Sequence, residues 1–466
     1  MTPGRVPLLT EPGSPAGLAA IEHVVVLMLE NRSFDHMLGY LYSGSGNVSP
    51  AGQPFEGLTG HESNPDASGS AVSVYPVTPS TPNAYFMPGA DPGEGYQATN
   101  DQLWGSTTAP ASGTTATMQG FVTDFAATIT WEAKEHWSIV DGTTASWIMG
   151  CFTPETLPVL SALARGYAVC DHWFASVPTE TLPNRAFALA GTSQGHLDDK
   201  AKAYTCPSIF GSLTSAGVSW RVFGYQAQPL TKADFPDVSS ADAAHFGLFT
   251  DFQAAAAAGA LPAFTFLEPS WSSTGNSQHP NYDVALGEQL IHDTYQALSS
   301  GPGWPQTLFV LTYDEHGGCY DHVPPPWGAT PPDSAAGEYG FGFDRFGVRV
   351  PALLISPVSA PGTVYGVPDD SVPLDHTSIL KTVEQRWNLP ALTARDAAAP
   401  GFGDVLTLAA PRTDDVLAGV TVPASGSAGP SAAQLSHLEA VREQLYDRFA
   451  PAAGTIVQDP DQRPGS

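Results

Sequence analysis

Two polar clusters in this chain directly follow apolar runs of the kind that form buried strands. The run at 23–29 is followed by the tripeptide E-N-R, and the run at 307–313 is followed by D-E-H. The carboxyl ends of parallel strands meet at one edge of a sheet, so these side chains would lie together. Carboxylates that close repel one another unless a cation lies among them, and oxygen ligands suit Ca²⁺, Mg²⁺ or Mn²⁺. The candidates are Glu30 and Asn31 after the first run, and Asp314, Glu315, His316, Asp321 and His322 after the second, so up to three carboxylates and an amide oxygen would converge.

Both clusters also have a structural interpretation. Asn31 would cap the helix predicted after it, and Asp35 would favour the first turn of that helix. The D-E-H-G-G piece would be a surface turn whose glycines need positive φ. Two adjacent acids and two histidines within nine residues favour a functional site over a simple turn.

A third segment, 176–195, offers a nucleophile. Pro183 suits the first turn of a helix, which places Thr181 just before the helix start. A helix N-terminus favours an anion, and a nearby divalent ion lowers the pKa of a hydroxyl, so Thr181 would attack phosphorus. A simple cap is the alternative role for this threonine, and Thr179 and Ser176 are rival nucleophiles.

Other motifs limit the reaction classes. His279 lies in a loop before a predicted helix, where a lone histidine is more often a surface residue than a catalyst. The chain has no G-x-S-x-G elbow, Walker loop or H-E-x-x-H motif. A serine hydrolase of the nucleophile-elbow type is therefore excluded.

Apolar runs alternate with helical patterns along the chain, which indicates an α/β fold with a mostly parallel sheet covered on both faces. The predicted strands are 23–29, 166–170, 218–224, 307–313 and 350–356. The clearest helical patterns are 34–41, 283–298 and 376–388.

The expected domain organisation is a catalytic domain at 1–410 and a short C-terminal extension at 411–466. The Gly/Ser/Pro/Thr-rich stretch 43–125 is predicted to be a long insertion that shapes the substrate mouth. The extension is predicted to hold a strand-like piece, one helix and a frayed end.

The charge balance argues against several partners. With 46 acidic and 18 basic residues among 466, the net charge of −28 repels polyanions, so no nucleic-acid partner is expected. No apolar window is long enough to span a membrane, and the first 20 residues do not resemble a signal peptide. The four cysteines form no C-x-x-C pair, which favours buried thiols or one or two disulfides over a zinc knuckle.

Four pieces of the sequence together resemble the bacterial phosphoesterase family of the alkaline phosphatase superfamily. They are "ENRSFDHMLGYL", "CFTPETLPVLSALARGYAVCDHWFASVPTETLPNRAF", "HPNYDVALGEQ" and "YDEHGGCYDHVPPP". The family includes non-specific phospholipases C, their plant relatives and certain acid phosphatases. The resemblance extends from about residue 21 to residue 390 in the family's order.

The resemblance implies a three-layer α/β/α sandwich around a mostly parallel sheet and assigns roles to individual residues. Glu30, Asn31, Asp314 and Glu315 look like the family's metal set, and Thr181 looks like its nucleophile. His279 is similar to a histidine that stabilises or protonates the leaving group, and His322 is a second catalytic candidate. Asn184 and Glu94 are expected to contact the substrate. Glu94 stands where many relatives carry a histidine, which changes the expected headgroup contacts.

The leading expectation is therefore a metal-dependent phosphoric-ester hydrolase of phospholipase C type that forms a phospho-threonyl intermediate. An acid phosphatase or phosphodiesterase for small soluble esters is the alternative within the same chemistry, and a non-catalytic metal- or anion-binding module is the alternative outside it. A phospholipid or small phosphate ester is the expected partner, with at most transient membrane contact and no protein partner. The resemblance implies an extracytoplasmic or secreted location, whereas the first 20 residues, which do not resemble a signal peptide, leave a cytoplasmic location open.

Overall fold

An eight-stranded sheet forms the centre of the chain. The structure is a computed structural model that describes residues 17–201, 204–368, 371–426 and 436–447. The strands run in the order β8-β2-β7-β6-β1-β5-β3-β4, and β7 is antiparallel to both of its neighbours while the other pairs are parallel. They are β1 (His23–Leu29), β2 (Ala168–Cys170), β3 (Trp220–Gly224), β4 (Phe246–Leu248), β5 (Phe264–Glu268), β6 (Thr307–Tyr313), β7 (Ala352–Ile355) and β8 (Thr363–Val364).

Helices cover both faces of this sheet. Every residue of β6 is buried, and so is all of β1 after His23, which requires a layer on each side. The helices contact one another in two groups, α4 with α7 and α8, and α5 with α6, α9 and α10, so the fold is a three-layer α/β/α sandwich. The α-helices of five or more described residues are α1 (Phe34–Leu38), α2 (Tyr96–Trp104), α3 (Phe121–Glu135), α4 (Pro158–Gly166), α5 (Thr181–Ala190), α6 (Ile209–Ser215), α7 (Phe249–Ala257), α8 (Val284–Ser299), α9 (Thr377–Trp387), α10 (Ala394–Ala398) and α11 (His437–Asp447).

The two strands with polar tips are neighbours in register. β1 and β6 pair in parallel from His23 opposite Thr307 to Leu29 opposite Tyr313. The Asp314 N–H donates to the Leu29 carbonyl oxygen at 3.2 Å. Both strands therefore end at the same edge of the sheet, and this confirms that the two polar strand ends are adjacent, as expected.

The insertion at 43–125 carries its own secondary structure. A two-stranded ribbon pairs Ser63–Pro65 with Ala71–Ser73, and the helix α2 and the start of α3 follow. Leu103, Phe121 and Phe125 belong to a second buried apolar cluster beside the main core. The insertion is thus a packed layer on the sandwich.

The segment after 410 differs from the expected pattern. The prediction of a strand-like piece there is wrong, because residues 411–426 contain a turn and no strand. Arg412 Nη1 donates to the Gly166 carbonyl oxygen at 2.6 Å, and the Val416 N–H donates to the Tyr295 hydroxyl at 3.3 Å. One backbone carbonyl and one side chain of the preceding residues therefore bond to this segment in place of strand pairing. The predicted helix is present as α11, and the frayed end lies outside the described residues.

No disulfide joins the four cysteines. Cys151, Cys170 and Cys319 are buried, and Cys206 is half-buried. Buried thiols, the first of the two expected alternatives, are what the structure has. Across the described ranges, the helices are all too short or too polar to cross a membrane.

Candidate active site

The turn that follows β1 brings three of the predicted metal ligands together. Asn31 adopts left-handed backbone geometry with φ of 55°, which asparagine tolerates better than most residues. Its N–H donates to Asp314 Oδ1 at 3.0 Å. Glu30 is 1% exposed, and its Oε2 has no hydrogen-bond partner among the described residues. The helix cap expected of Asn31 is supplied instead by Ser33, which accepts from the His36 N–H.

Two glycines let the turn after β6 pack against this site. Gly317 and Gly318 have φ of 60° and 59°. A Cβ on Gly317 would lie 2.0 Å from the Asn31 carbonyl oxygen, and one on Gly318 would lie 2.6 Å from the Gly93 carbonyl oxygen. The turn is therefore buried and closely packed, unlike the surface turn of the structural interpretation. It also holds Glu315, whose Oε2 accepts from the Gly317 N–H at 2.7 Å.

Thr181 faces the same turn from the start of α5. It is the first helical residue and is 1% exposed. Its hydroxyl donates to Asn31 Oδ1 at 3.1 Å. The N–H of Leu182, the next residue, donates to Asp199 Oδ1 at 2.6 Å, so a carboxylate already uses part of the helix N-terminus.

Arg185 lies one turn along α5 and was not among the residues singled out from the sequence. Its Nε donates to Asp314 Oδ2 at 2.9 Å, and its Nη2 donates to the carbonyl oxygens of Met28 and Leu29. The i, i+4 spacing from Thr181, which puts both side chains on one helix face, was the available signal. Burial raises the pKa of Asp314, and the Arg185 charge opposes this rise.

Arg32, the third residue of the E-N-R tripeptide, has a structural role. Its guanidinium is buried and donates to the carbonyl oxygens of Gln278, His279 and Met87 at 2.5, 2.9 and 2.6 Å. These carbonyls belong to two loops far apart in sequence. Arg32 therefore fixes the 278–279 loop and the loop after Met87 beside the end of β1.

These elements enclose a cavity of about 40 Å³. Among the described residues that line it there is no lysine or arginine, so an anionic substrate meets a negative wall. Trp137, Trp271 and Tyr282 supply aromatic walls, and Ser436–Leu438 extend the wall from the start of α11. The lining carboxylates are Glu30, Asp91, Glu94 and Asp199.

His279 and Glu94 both face this cavity. His279 Nδ1 lies 3.0 Å from the Pro280 carbonyl oxygen, and its ring stacks on Tyr282. Burial lowers the pKa of His279 to about 3, so the imidazole is neutral. Glu94 Oε1 accepts from Asn31 Nδ2 at 2.5 Å. The insertion thus reaches the proposed metal-binding asparagine.

Asn184 lies outside the cavity wall. Its Oδ1 accepts from the Val177 N–H, and its Nδ2 donates to the carbonyl oxygens of Val177, Thr179 and Glu180. Asn184 lies in α5, and its side chain therefore holds the backbone of the loop that leads to Thr181. Thr179, a rival nucleophile, donates its hydroxyl to the Leu197 carbonyl oxygen.

His322 lies in a separate buried network. Its Nδ1 donates to Asp35 Oδ2 at 2.5 Å. Arg349 donates to Asp35 Oδ1 and Asp321 Oδ1, each at 3.0 Å. The structure does not bring His322 to Thr181, because the glycine turn reverses the chain between Glu315 and Asp321.

We expect His322 to make folding stability depend on pH. Burial alone lowers the pKa of His322, but the Asp35 charge and the hydrogen bonds to Asp35 and Glu56 outweigh it and raise that pKa from 6.5 to about 10. The stabilisation is thus complete below about pH 6.5 and is lost as the pH rises through about 10. Urea unfolding across this range should show wild type losing stability relative to His322→Gln. A difference between the two proteins that does not change with pH would contradict this.

Two groups of side chains have three ligand atoms close enough to hold a metal. They are Asp35 with Asp321 and His322, and Asp91 with Glu94 and His279. In the first group Arg349 and His322 already balance the carboxylates. Glu30 offers a further fit, because burial and Asp314 raise its pKa to about 8 and its Oε2 is buried without a partner among the described residues. Oxygen donors around a buried carboxylate suit a divalent cation.

Comparison with known proteins identifies the family. The family model described as "Phosphoesterase family" matches residues 21–390. Non-specific phospholipase C6 of Arabidopsis thaliana is 37% identical over 422 residues, which cover 86% of this chain and 75% of that protein. Phospholipase C A of Mycobacterium tuberculosis (strain ATCC 25618 / H37Rv) is 29% identical over 454 residues, covering 85% and 79%. The crystal structure of a protein in the alkaline phosphatase superfamily from Vibrio parahaemolyticus matches 52% of this chain and 62% of its own, at 10% identity and a TM-score of 0.33.

The family match covers the fold core and both polar strand tips. Relatives come from a plant as well as from a bacterium, so the phosphoesterase family is shown, whereas the word bacterial in the expected family is not confirmed. The chain belongs to the phosphoesterase family and is a phosphoric ester hydrolase.

Proposed function

We propose that this enzyme is a phospholipase C-type phosphodiesterase that works through a covalent intermediate on Thr181. One observation carries the proposal: the Thr181 hydroxyl, at a helix start, donates to Asn31 Oδ1 at the wall of the carboxylate-lined cavity. The relatives named non-specific phospholipase C support the substrate class.

The proposed metal ligands are Glu30, Asn31, Asp314 and Glu315. A divalent cation bound there would lower the pKa of the Thr181 hydroxyl and offset the charge of the phosphoryl oxygens. Arg185 holds Asp314 in place through its hydrogen bond to Oδ2. Asn31 orients the hydroxyl by accepting its hydrogen bond.

In the first step, Thr181 Oγ forms a bond to phosphorus and gives up its proton to solvent. The bond from phosphorus to the glycerol oxygen breaks, and the leaving diacylglycerol oxygen takes a proton from water. In the second step, water attacks the phosphorus, releases the phosphorylated headgroup and restores the Thr181 hydroxyl. His279 stabilises the leaving group in this scheme, and Glu94 positions Asn31 through its hydrogen bond to Nδ2.

The insertion and the C-terminal extension are proposed to shape access to this site. Asp91 and Glu94 of the insertion and Ser436–Leu438 of the extension line the cavity. The small size of the cavity, about 40 Å³, favours a second candidate, a phosphatase or phosphodiesterase for small soluble esters. Under the leading proposal, the lipid chains stay outside in the membrane surface.

A substrate panel separates these two candidates. We expect p-nitrophenyl phosphocholine and phosphatidylcholine vesicles to be hydrolysed at least about tenfold faster, as kcat/KM, than p-nitrophenyl phosphate, a difference of about 1.4 kcal/mol in transition-state free energy. Thr181→Ala protein measured with each substrate gives the background. Equal rates for the monoester and the diester would contradict the phospholipase C assignment and favour the second candidate.

A further inference from the structure

We propose that a rim of apolar side chains at the mouth of the cavity docks on the surface of a zwitterionic phospholipid bilayer. The rim consists of Trp131, Trp137, Leu286 and Tyr339. Among the described residues, none of the four belongs to a buried apolar cluster or packs against one. Apolar side chains grouped on a surface outside the core mark a binding surface.

Two tryptophans form the part of the rim that is continuous with the cavity. His136 caps α3 with a left-handed φ of 63°, and the Trp137 N–H donates back to the Glu132 carbonyl oxygen at 3.0 Å. Trp137 lines the cavity, and its ring stacks on that of Trp131 at 6.2 Å. Both rings are half-buried. Tryptophan is enriched where membranes meet water, because its ring is apolar and its N–H is polar.

Two exposed side chains continue the rim beside other residues of the cavity wall. Tyr339 is 61% exposed and stacks on Tyr96 at 5.6 Å. Tyr96 follows the wall residue Glu94 by two positions. Leu286 is 40% exposed in the first turn of α8, four positions after the wall residue Tyr282.

The backbone around Tyr339 fixes this side chain near the cavity. Glu338 Oε2 accepts from the Leu197 N–H at 2.8 Å, and Asp199, two positions after Leu197, lines the cavity. Tyr339 itself has a φ of 54°, which a bulky residue seldom adopts. Strain of this kind clusters at functional sites. A strained, exposed tyrosine beside a cavity therefore indicates a role in binding.

Charge selects the kind of bilayer. The chain has a net charge of −28, so an anionic lipid surface repels it. Lys134, which lies between the two tryptophans in sequence, pairs with Glu135 at 3.3 Å and so offers anionic lipids no unbalanced positive charge. The attraction must therefore come from apolar surface that enters the membrane interface. A zwitterionic headgroup such as phosphocholine meets these conditions.

Docking would bring the ester bond to the site. The cavity has a volume of about 40 Å³. Pockets that enclose a drug-sized ligand have roughly 300 to 1,000 Å³, so a phospholipid does not enter this one whole. Trp137 belongs to both the rim and the cavity wall, so a docked rim presents the phosphodiester to Thr181 while the acyl chains stay in the bilayer. This last role rests on the proposed function, whereas the binding of the rim to lipid does not.

Vesicle binding tests the rim. The test variant combines Trp131→Gln, Leu286→Gln and Tyr339→Asn, because asparagine tolerates left-handed backbone, and it keeps Trp137 in the cavity wall. In a chelator that stops turnover, we expect wild type to sediment with phosphatidylcholine vesicles and the variant to bind them at least about tenfold more weakly. With metal present, hydrolysis of the vesicles should fall at least about tenfold, while hydrolysis of soluble p-nitrophenyl phosphocholine should stay within about twofold of wild type.

Val48→Gln is the matched control. Val48 is 41% exposed, much as Leu286 is, but lies outside the cavity wall. Its loop packs on β8, the outermost strand, where Gln53 Oε1 accepts from the Val364 N–H at 2.8 Å. This variant should bind vesicles as wild type does.

Several results would overturn the rim. They are a wild type that does not bind phosphatidylcholine vesicles, a folded triple variant that binds them as wild type does, and binding only to vesicles that contain phosphatidylglycerol. Wild-type dimers that the triple variant does not form would also overturn it, because the rim would then contact a second copy of this chain.

Other results separate the rim from the proposed function. Vesicle binding that the triple variant loses, with neither substrate hydrolysed by wild type, would support the rim and remove the proposed function. Amide hydrogen exchange of wild type needs no variant. Protection by vesicles at 131–139 and 338–340 supports docking there, and protection confined to other segments overturns it.

Discussion

Thr181→Ala is expected to lower the rate of phosphodiester hydrolysis by at least about 10³-fold, because the substitution removes the proposed nucleophile. The substitution deletes a hydroxyl and a methyl group at the first position of α5, and Asn31 Oδ1 loses its donor. We expect a stability cost of only about 1–3 kcal/mol for that lost hydrogen bond. Single-turnover rates with p-nitrophenyl phosphocholine, with metal content measured on the same samples, test this expectation.

Two further variants separate chemistry from packing at this position. Thr181→Ser keeps the hydroxyl and should retain a large part of the rate. Thr179→Ala removes a nearby buried hydroxyl that donates to the Leu197 carbonyl oxygen, so it should cost stability and leave the rate near wild type. A Thr181→Ala protein that is as active as Thr179→Ala would remove Thr181 from its proposed role.

Arg185→Met is expected to cost about 3–5 kcal/mol in the free energy of unfolding, because it leaves the buried Asp314 carboxylate without its ion-pair partner. The carbonyl oxygens of Met28 and Leu29 also lose a donor, and the guanidinium no longer packs over the Trp271 ring at 4.5 Å. Because Asp314 is a proposed metal ligand, we also expect weaker metal binding. Urea denaturation in the presence of a chelator isolates the stability effect from the metal effect.

Arg221→Met is the matched control for this variant. Arg221 also packs its guanidinium over a ring, that of Phe223, and donates to the Phe246 carbonyl oxygen. Arg221 forms no ion pair with a carboxylate among the described residues, unlike Arg185 with Asp314. Its loss should therefore cost much less free energy of unfolding. Equal destabilisation by Arg185→Met and Arg221→Met would show that the Asp314 ion pair contributes little.

The parts of the fold that the sequence predicted are those with local signals. β1 and β6 are unbroken apolar runs, and their pairing brings Glu30 and Asp314 to one edge as expected. β5 was missed because Thr265 interrupts its apolar run. β4 and β8, with three and two residues, were also missed, but length alone does not explain this, since β2 has three residues and was predicted.

The site is less predictable because its walls come from distant loops. Asp91 lies in the loop after Met87, which Arg32 holds beside the cavity by donating to the Met87 carbonyl oxygen. Arg32 is more than fifty residues from Met87 and from Gln278, its other partner, and a bond to a backbone carbonyl has no sequence signature. Proximity in sequence also misleads. His322 is close to Glu315 along the chain, yet the two glycines turn it toward Asp35 and the other network.

Identifying the residue that becomes modified during turnover tests the central claim most directly. Wild-type enzyme would be mixed with p-nitrophenyl phosphocholine, quenched in acid during the first turnover, digested and examined by peptide mass spectrometry. We predict phosphocholine on the peptide that contains Thr181, localised to that side chain, and its absence from Thr181→Ala. Product release with Thr181 unmodified throughout, or phosphocholine on another residue, would contradict the proposed mechanism.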